Sequence, residues 1–168
     1  MIAGAPAFAD QPAENAAING NAVTNVTGVI AVNQTAGNGN VQSNVAVIGK
    51  SVPVVKQSAA LVQGETGRSS IGSFAFSGAN GILQVNQSAG SGNAQANVVY
   101  VTDSVLSATV PQQSVPPGAP ASNGANAISV AKTAFSHAKG LVQVNQIAGT
   151  SNRTANTFVL QLPGLAGH

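Results

Sequence analysis

Between Gly81 and Gly90 the residues alternate strictly: Leu83, Val85, Gln87 and Ala89 share one face and Asn86 lies on the other. A period of two, rather than 3.6, predicts a strand. The same alternation occurs at Ile30, Val32, Gln34 and Ala36, with Asn33 opposite, and at Val142, Val144, Gln146 and Ala148, with Asn145 opposite. After each strand a segment A-G-x-x-N predicts a turn. Its glycine, Gly37, Gly90 or Gly149, supplies a positive φ, and its asparagine supplies local side-chain bonding. A second strand follows over Asn93–Val101, where Asn93, Gln95 and Asn97 share parity with Val99 and Val101. The Val, Asn, Gly and Thr content disfavours helix throughout.

These segments are copies of one frame. "GVIAVNQTAGNGNVQSNVAV" from Gly28, "GILQVNQSAGSGNAQANVVYV" from Gly81 and "GLVQVNQIAGTSNRTANTFVL" from Gly140 all fit G-ϕ-x-x-V-N-Q-x-A-G-x-x-N-x-x-x-N. The marker glycines stand 53 and 59 residues apart. "FSGANG" (Phe76–Gly81) and "FSHAKG" (Phe135–Gly140) extend the likeness upstream, so each unit runs to about thirty residues and is expected to hold three short strands. The chain divides accordingly into repeat 1 (16–48), repeat 2 (71–102) and repeat 3 (126–162), joined by linkers 49–70 and 103–125. The linkers carry five of the eight prolines, Pro53, Pro111, Pro116, Pro117 and Pro120, and the second is expected to be extended and stiff where Pro116 and Pro117 adjoin. A segment 10–15 precedes the repeats and a tail 163–168 follows them. The expected fold is all-β, with three imperfect repeats stacking as rungs of a β-solenoid or cross-β amyloid.

The amides determine how the rungs stack. A buried carboxamide without partners costs on the order of 1–3 kcal/mol, so several per unit would wreck an ordinary core. If equivalent strands stack about 4.8 Å apart, each amide donates to its copy on one side and accepts from its copy on the other. The frame predicts four such ladders: Asn33, Asn86 and Asn145; Gln34, Gln87 and Gln146; Asn40, Asn93 and Asn152; Asn44, Asn97 and Asn156. A one-residue slip would break them all, so they also act as a register code. No cap is visible at either end of the stack, neither a helix nor a charged edge strand. Another subunit would satisfy the open rungs.

Composition narrows the function. Only 6% of the 168 residues are charged and 4% are aromatic, against about 25% charged in ordinary domains. The net charge of +2 comes from six scattered basic residues, which form no stripe for phosphates, so no nucleic-acid partner is expected. The absence of cysteine excludes disulfides, thiol catalysis and thiolate metal sites. His137, read as a solvent-facing strand residue, and His168 have no metal-ligand companions. The acids Asp10, Glu14, Glu65 and Asp103 offer no paired carboxylates. No enzyme activity, cofactor or metal is therefore expected, and no apolar run reaches the ~20 residues of a membrane helix. Arg153 is the one charge inside a repeat motif. In a stack of subunits it would lie about 14 Å from its copy, beyond a Debye length of about 8 Å. "APAFAD", with Ala7 and Ala9 before Asp10, reads as the cleavage end of an export signal, so residues 1–9 are taken as its remnant.

Three amide-rich repeats of this frame, two linkers and an export signal together resemble the fibre subunits of the Fap system, the functional amyloid of Pseudomonas. The spacing Gln87, Gly90, Asn93 is more loosely similar to curlin repeats, which have one residue fewer between Gln and Gly. The resemblance spans 16–162 in architecture and about twenty residues per unit in motif. It implies a secreted precursor that polymerises with itself into cross-β fibres of the biofilm matrix at the cell surface, served by secretion and nucleation partners. The major Fap subunit ends in C-x-x-C, which this chain lacks. A major subunit, a minor nucleator and a more distant relative all stay open. The rival class is a monomeric β-solenoid adhesin that binds polysaccharide or another surface.

Overall fold

The computed structural model describes residues 14–49, 55–59, 66–103 and 126–162. The export-signal reading of 1–9, the tail 163–168, half of linker 49–70 and nearly all of linker 103–125 lie outside these residues. The described residues contain nine strands and no helix. Unit 1 holds β1 (Glu14–Ile18), β2 (Thr27–Ala36) and β3 (Val41–Ile48). Unit 2 holds β4 (Gly67–Ile71), β5 (Asn80–Ala89) and β6 (Ala94–Thr102). Unit 3 holds β7 (Ala127–Val130), β8 (Lys139–Ala148) and β9 (Arg153–Gln161). The first strand of unit 2 opens inside the stretch read as linker 49–70, and β1 opens two residues ahead of position 16.

Each unit gives one strand to each of three parallel sheets, with strand orders β1-β4-β7 (sheet A), β2-β5-β8 (sheet B) and β3-β6-β9 (sheet C). The register follows the repeat frame: Gly28 pairs with Gly81 and Gly81 with Gly140, while Asn44 pairs with Asn97 and Asn97 with Asn156. This is a three-rung β-solenoid, and the strand period of two sorts its seams. Sheet B is the middle layer. Its Leu83 and Val85 face sheet A and pack with Ile18, Ile71 and Phe76 into an apolar core. The opposite parity of β5 faces sheet C, where Gln84 and Asn86 meet the amides of sheet C and Ile82 lies with Val99 and Val101 at an apolar end of the seam. The outer face of sheet C carries Ala96, Val98 and Tyr100, packed against Val45, Val47 and Val55.

The corners need backbone conformations that few residues adopt. Asn25, Gly78 and His137 occupy equivalent corner positions with φ of 55°, 69° and 59°. His137 is therefore an exposed turn residue, not a strand residue as the alternation suggested. Phe76 and Phe135 stack face to face along the axis, with ring centroids 5.3 Å apart and planes 7° from parallel. At Gly81, φ is +123°, and an added Cβ would run into the carbonyl oxygen of Gly28 in the rung below. Glycine is required there because rung spacing, not only the turn, leaves no room.

Candidate assembly site

The predicted site residues come together in four columns. Asn86 donates to Asn33 Oδ1 at 3.1 Å and Asn145 to Asn86 Oδ1 at 3.1 Å. Gln87 donates to Gln34 Oε1 and Gln146 to Gln87 Oε1, both at 2.8 Å. Asn93 donates to Asn40 Oδ1 and Asn152 to Asn93 Oδ1, both at 3.1 Å. Asn97 donates to Asn44 Oδ1 and Asn156 to Asn97 Oδ1, again at 3.1 Å.

Bonds along the stack are only part of the network. Asn44 donates to Asn33 Oδ1 (2.8 Å), Asn86 to Asn44 Oδ1 (2.9 Å) and Asn97 to Asn86 Oδ1 (3.0 Å). Asn145 continues to Asn97 Oδ1 (3.1 Å) and Asn156 to Asn145 Oδ1 (2.9 Å). Six amides thus form one zigzag relay between sheets B and C, ordered 156, 145, 97, 86, 44, 33 from donor to acceptor. The zigzag arises because sheet C is offset along the stack from sheet B. Asn97 reaches the Val85 carbonyl of its own unit, whereas Asn86 reaches the Ser43 carbonyl of the unit before. Backbone groups fix which end of each amide points where. The Val85 and Ser43 carbonyls require an NH2 group, and the backbone N–H of Asn93 requires the oxygen of Asn40.

Gln87 faces the other way, toward sheet A. Its Nε2 donates to the Ala16 and Ser70 carbonyls, and the Ser69 hydroxyl donates to its Oε1. A polar group is thereby satisfied at the end of an otherwise apolar seam. The turn asparagines hold the glycine turns of the following rung: Asn40 Nδ2 donates to the Gly90 carbonyl at 2.7 Å and Asn93 Nδ2 to that of Gly149 at 2.8 Å. The turn glycines are close-packed, since a Cβ on Gly37 would meet the Gly90 carbonyl and one on Gly90 that of Gly149.

Burial differs from rung to rung. In unit 2, Asn86, Gln87, Asn93 and Asn97 are all fully buried. In unit 1, Asn33 is exposed and Gln34, Asn40 and Asn44 are half-buried. In unit 3, Asn145 is buried, Gln146 and Asn156 are half-buried and Asn152 is exposed. Among the described residues, each outer rung leaves one edge of every sheet without a neighbouring strand.

A family model for functional amyloid proteins matches residues 3–163, nearly the whole chain. The chain belongs to the functional amyloid protein FapB/FapC family. That is a family of structural amyloid proteins rather than of enzymes, and in this member the repeat frame is realised as stacked parallel rungs. No solved structure matches the chain. Among the described residues of this FapB/FapC member, no cluster of His, Cys, Asp or Glu could hold a metal, and no helix is long and apolar enough to cross a membrane.

The repeat frame left out two further amide pairs. Gln42 donates to Gln95 Oε1 at 2.6 Å and Gln84 to Gln143 Oε1 at 3.2 Å. Each occupies one frame position in two of the three repeats, and identity in two repeats was the signal that could have found them. Arg153 also has a local role. Its guanidinium donates to the carbonyls of Gly92 (2.7 Å), Asn152 (3.1 Å) and Ala59 (3.1 Å). With Gln57 donating to the Gln95 carbonyl at 2.7 Å, this pins residues 55–59 against sheet C.

Proposed function

We propose that the chain is an exported subunit that polymerises with itself, rung on rung, into functional amyloid fibres of the biofilm matrix. The observation that carries this reading is the contrast between rungs. Unit 2, covered on both sides, buries every amide of its motif, whereas units 1 and 3 hold the same residues at open edges. Open parallel edges template further strands, and rungs with the same frame would extend all four columns. The amide columns Asn33/86/145, Gln34/87/146, Asn40/93/152 and Asn44/97/156 would then serve as the self-assembly code, and the glycines Gly37, Gly90 and Gly149 would keep the turns thin enough to stack. Membership of the FapB/FapC family supports the amyloid part of this reading. Fibre formation outside the cell would require a secretion partner and a nucleating partner. The test is dilution of unfolded, purified chain into buffer. Circular dichroism should turn β-rich after a lag that preformed fibres abolish. A chain that folds at once and stays monomeric at high concentration would support a β-solenoid adhesin instead.

A further inference from the structure

We propose that copies of this chain join in one direction only, with unit 3 of one copy receiving unit 1 of the next, and that the amide relay sets this direction. The inference rests on the self-assembly proposed above and adds polarity to it.

All four complete columns and the zigzag relay donate in the same sense, from the later unit to the earlier. The two ends of the molecule therefore differ chemically. At the unit 1 end, Asn33 Oδ1 accepts from Asn44 and Asn86, while its NH2 group makes no bond among the described residues. Its counterparts show what that group would meet in a continued stack: Asn145 Nδ2 donates to Asn86 Oδ1, Asn97 Oδ1 and the Ala96 carbonyl. At the unit 3 end, Asn156 Nδ2 donates to Asn97, Asn145 and the Val144 carbonyl, while its Oδ1 accepts nothing among the described residues. Gln146 repeats this arrangement, with its NH2 group engaged by Gln87 and Ser129 and its Oε1 open. One end offers donors and the other acceptors.

Stacking unit 1 on a neighbour's unit 3 lets Asn33 donate to Asn145 and Asn156, and Gln34 to Gln146, so both relays continue across the junction. A head-to-head junction would set NH2 against NH2, and a tail-to-tail junction oxygen against oxygen, leaving buried polar groups unpaired. Two pairs run the opposite way, Gln42 to Gln95 and Gln84 to Gln143. Neither column reaches both ends, because Thr154 and Ala31 take the third place, so neither opposes the polarity at the junction. Such a contact is heterologous and does not close, which is the geometry of a filament.

The chain has no cysteine, so introduced cysteines report the junction without background. Ile48 and Leu160 are exposed and occupy one column, since both register with Val101. Within a subunit they lie two strand spacings apart, roughly 9–10 Å, but across the proposed junction they become neighbours. Ile48→Cys and Leu160→Cys are made as separate proteins with tags of different mass, grown into fibres alone and mixed, then oxidised. The expected product is a mixed dimer that appears only when both proteins are present. Disulfide homodimers from either protein alone, or fibres without any cross-link, would overturn the polarity. Val29→Cys with Leu141→Cys repeats the test on sheet B, so local damage to sheet C does not decide it. If the unaltered chain forms no fibres, the self-assembly reading itself falls, and that outcome is distinct from the others.

Discussion

Asn97 Nδ2 donates to Asn86 Oδ1 at 3.0 Å, and through that bond sheets B and C share one hydrogen-bond network. Both residues are fully buried, and Asn86 accepts from Asn145 as well. Deleting this amide strands several partners, each worth roughly 1–3 kcal/mol when left unpaired. Asn86→Ala should therefore lower the stability of the assembled rungs by at least about 2 kcal/mol, read as a shift of the urea midpoint of the fibres. Asn38→Ala, at an exposed turn position, should stay within about 0.5 kcal/mol. A double-mutant cycle on Asn86 and Asn97 should return a coupling of roughly 0.5–3 kcal/mol, and complete additivity would contradict the relay.

The glycine column makes a comparison between two equivalent positions possible. Gly28 and Gly81 have φ of +119° and +123°, so alanine strains either backbone by on the order of 1–3 kcal/mol. At Gly81 the new methyl also meets the Gly28 carbonyl, whereas at Gly28 nothing lies within 4 Å. In the fibre a stacked neighbour would bring its own Gly140 carbonyl over Gly28, so Gly81→Ala and Gly28→Ala should both block the β-rich state that seeds induce, read by circular dichroism. Normal seeded growth of Gly81→Ala would contradict the rung contact.

Tyr100 supplies a pH dependence. Burial raises its phenol above the usual value of 10.0. The folded state therefore holds the proton more tightly than the unfolded chain. This contribution is fully present below pH 10 and is lost as pH rises through the higher folded value. Urea midpoints should fall in strong alkali, and Tyr100→Phe should flatten that fall. As the chain's one tyrosine, it can be titrated directly by tyrosinate absorbance, and an unshifted curve would refute the burial argument.

Arg153 binds three carbonyls with one planar fork, and lysine cannot reproduce that. Arg153→Lys should keep the charge yet speed hydrogen exchange at Gln57–Ala59, with little change at the β5 amides. If lysine protected that segment as well as arginine does, charge alone would explain the contact.

The repeat frame in the sequence determined the second and third strands of each unit, their register and the residues that share a column, because a side-chain period of two and repeat offsets of 53 and 59 fix which positions are equivalent. Asn33, Asn86 and Asn145 could be aligned without coordinates. The first strand of each unit was barely legible, since Glu14–Ile18, Gly67–Ile71 and Ala127–Val130 are short and share no motif. Only the tertiary structure decided what each face meets. It placed sheet B between an apolar seam and an amide seam, and offset sheet C so that Asn86 sits between Asn44 and Asn97. It also brought Arg153 to the carbonyl of Ala59. Periodicity reports only that side chains point the same way. Which layer they point at is set by the path of the corners, where positive φ at positions 25, 78 and 137 turns each strand onto the next.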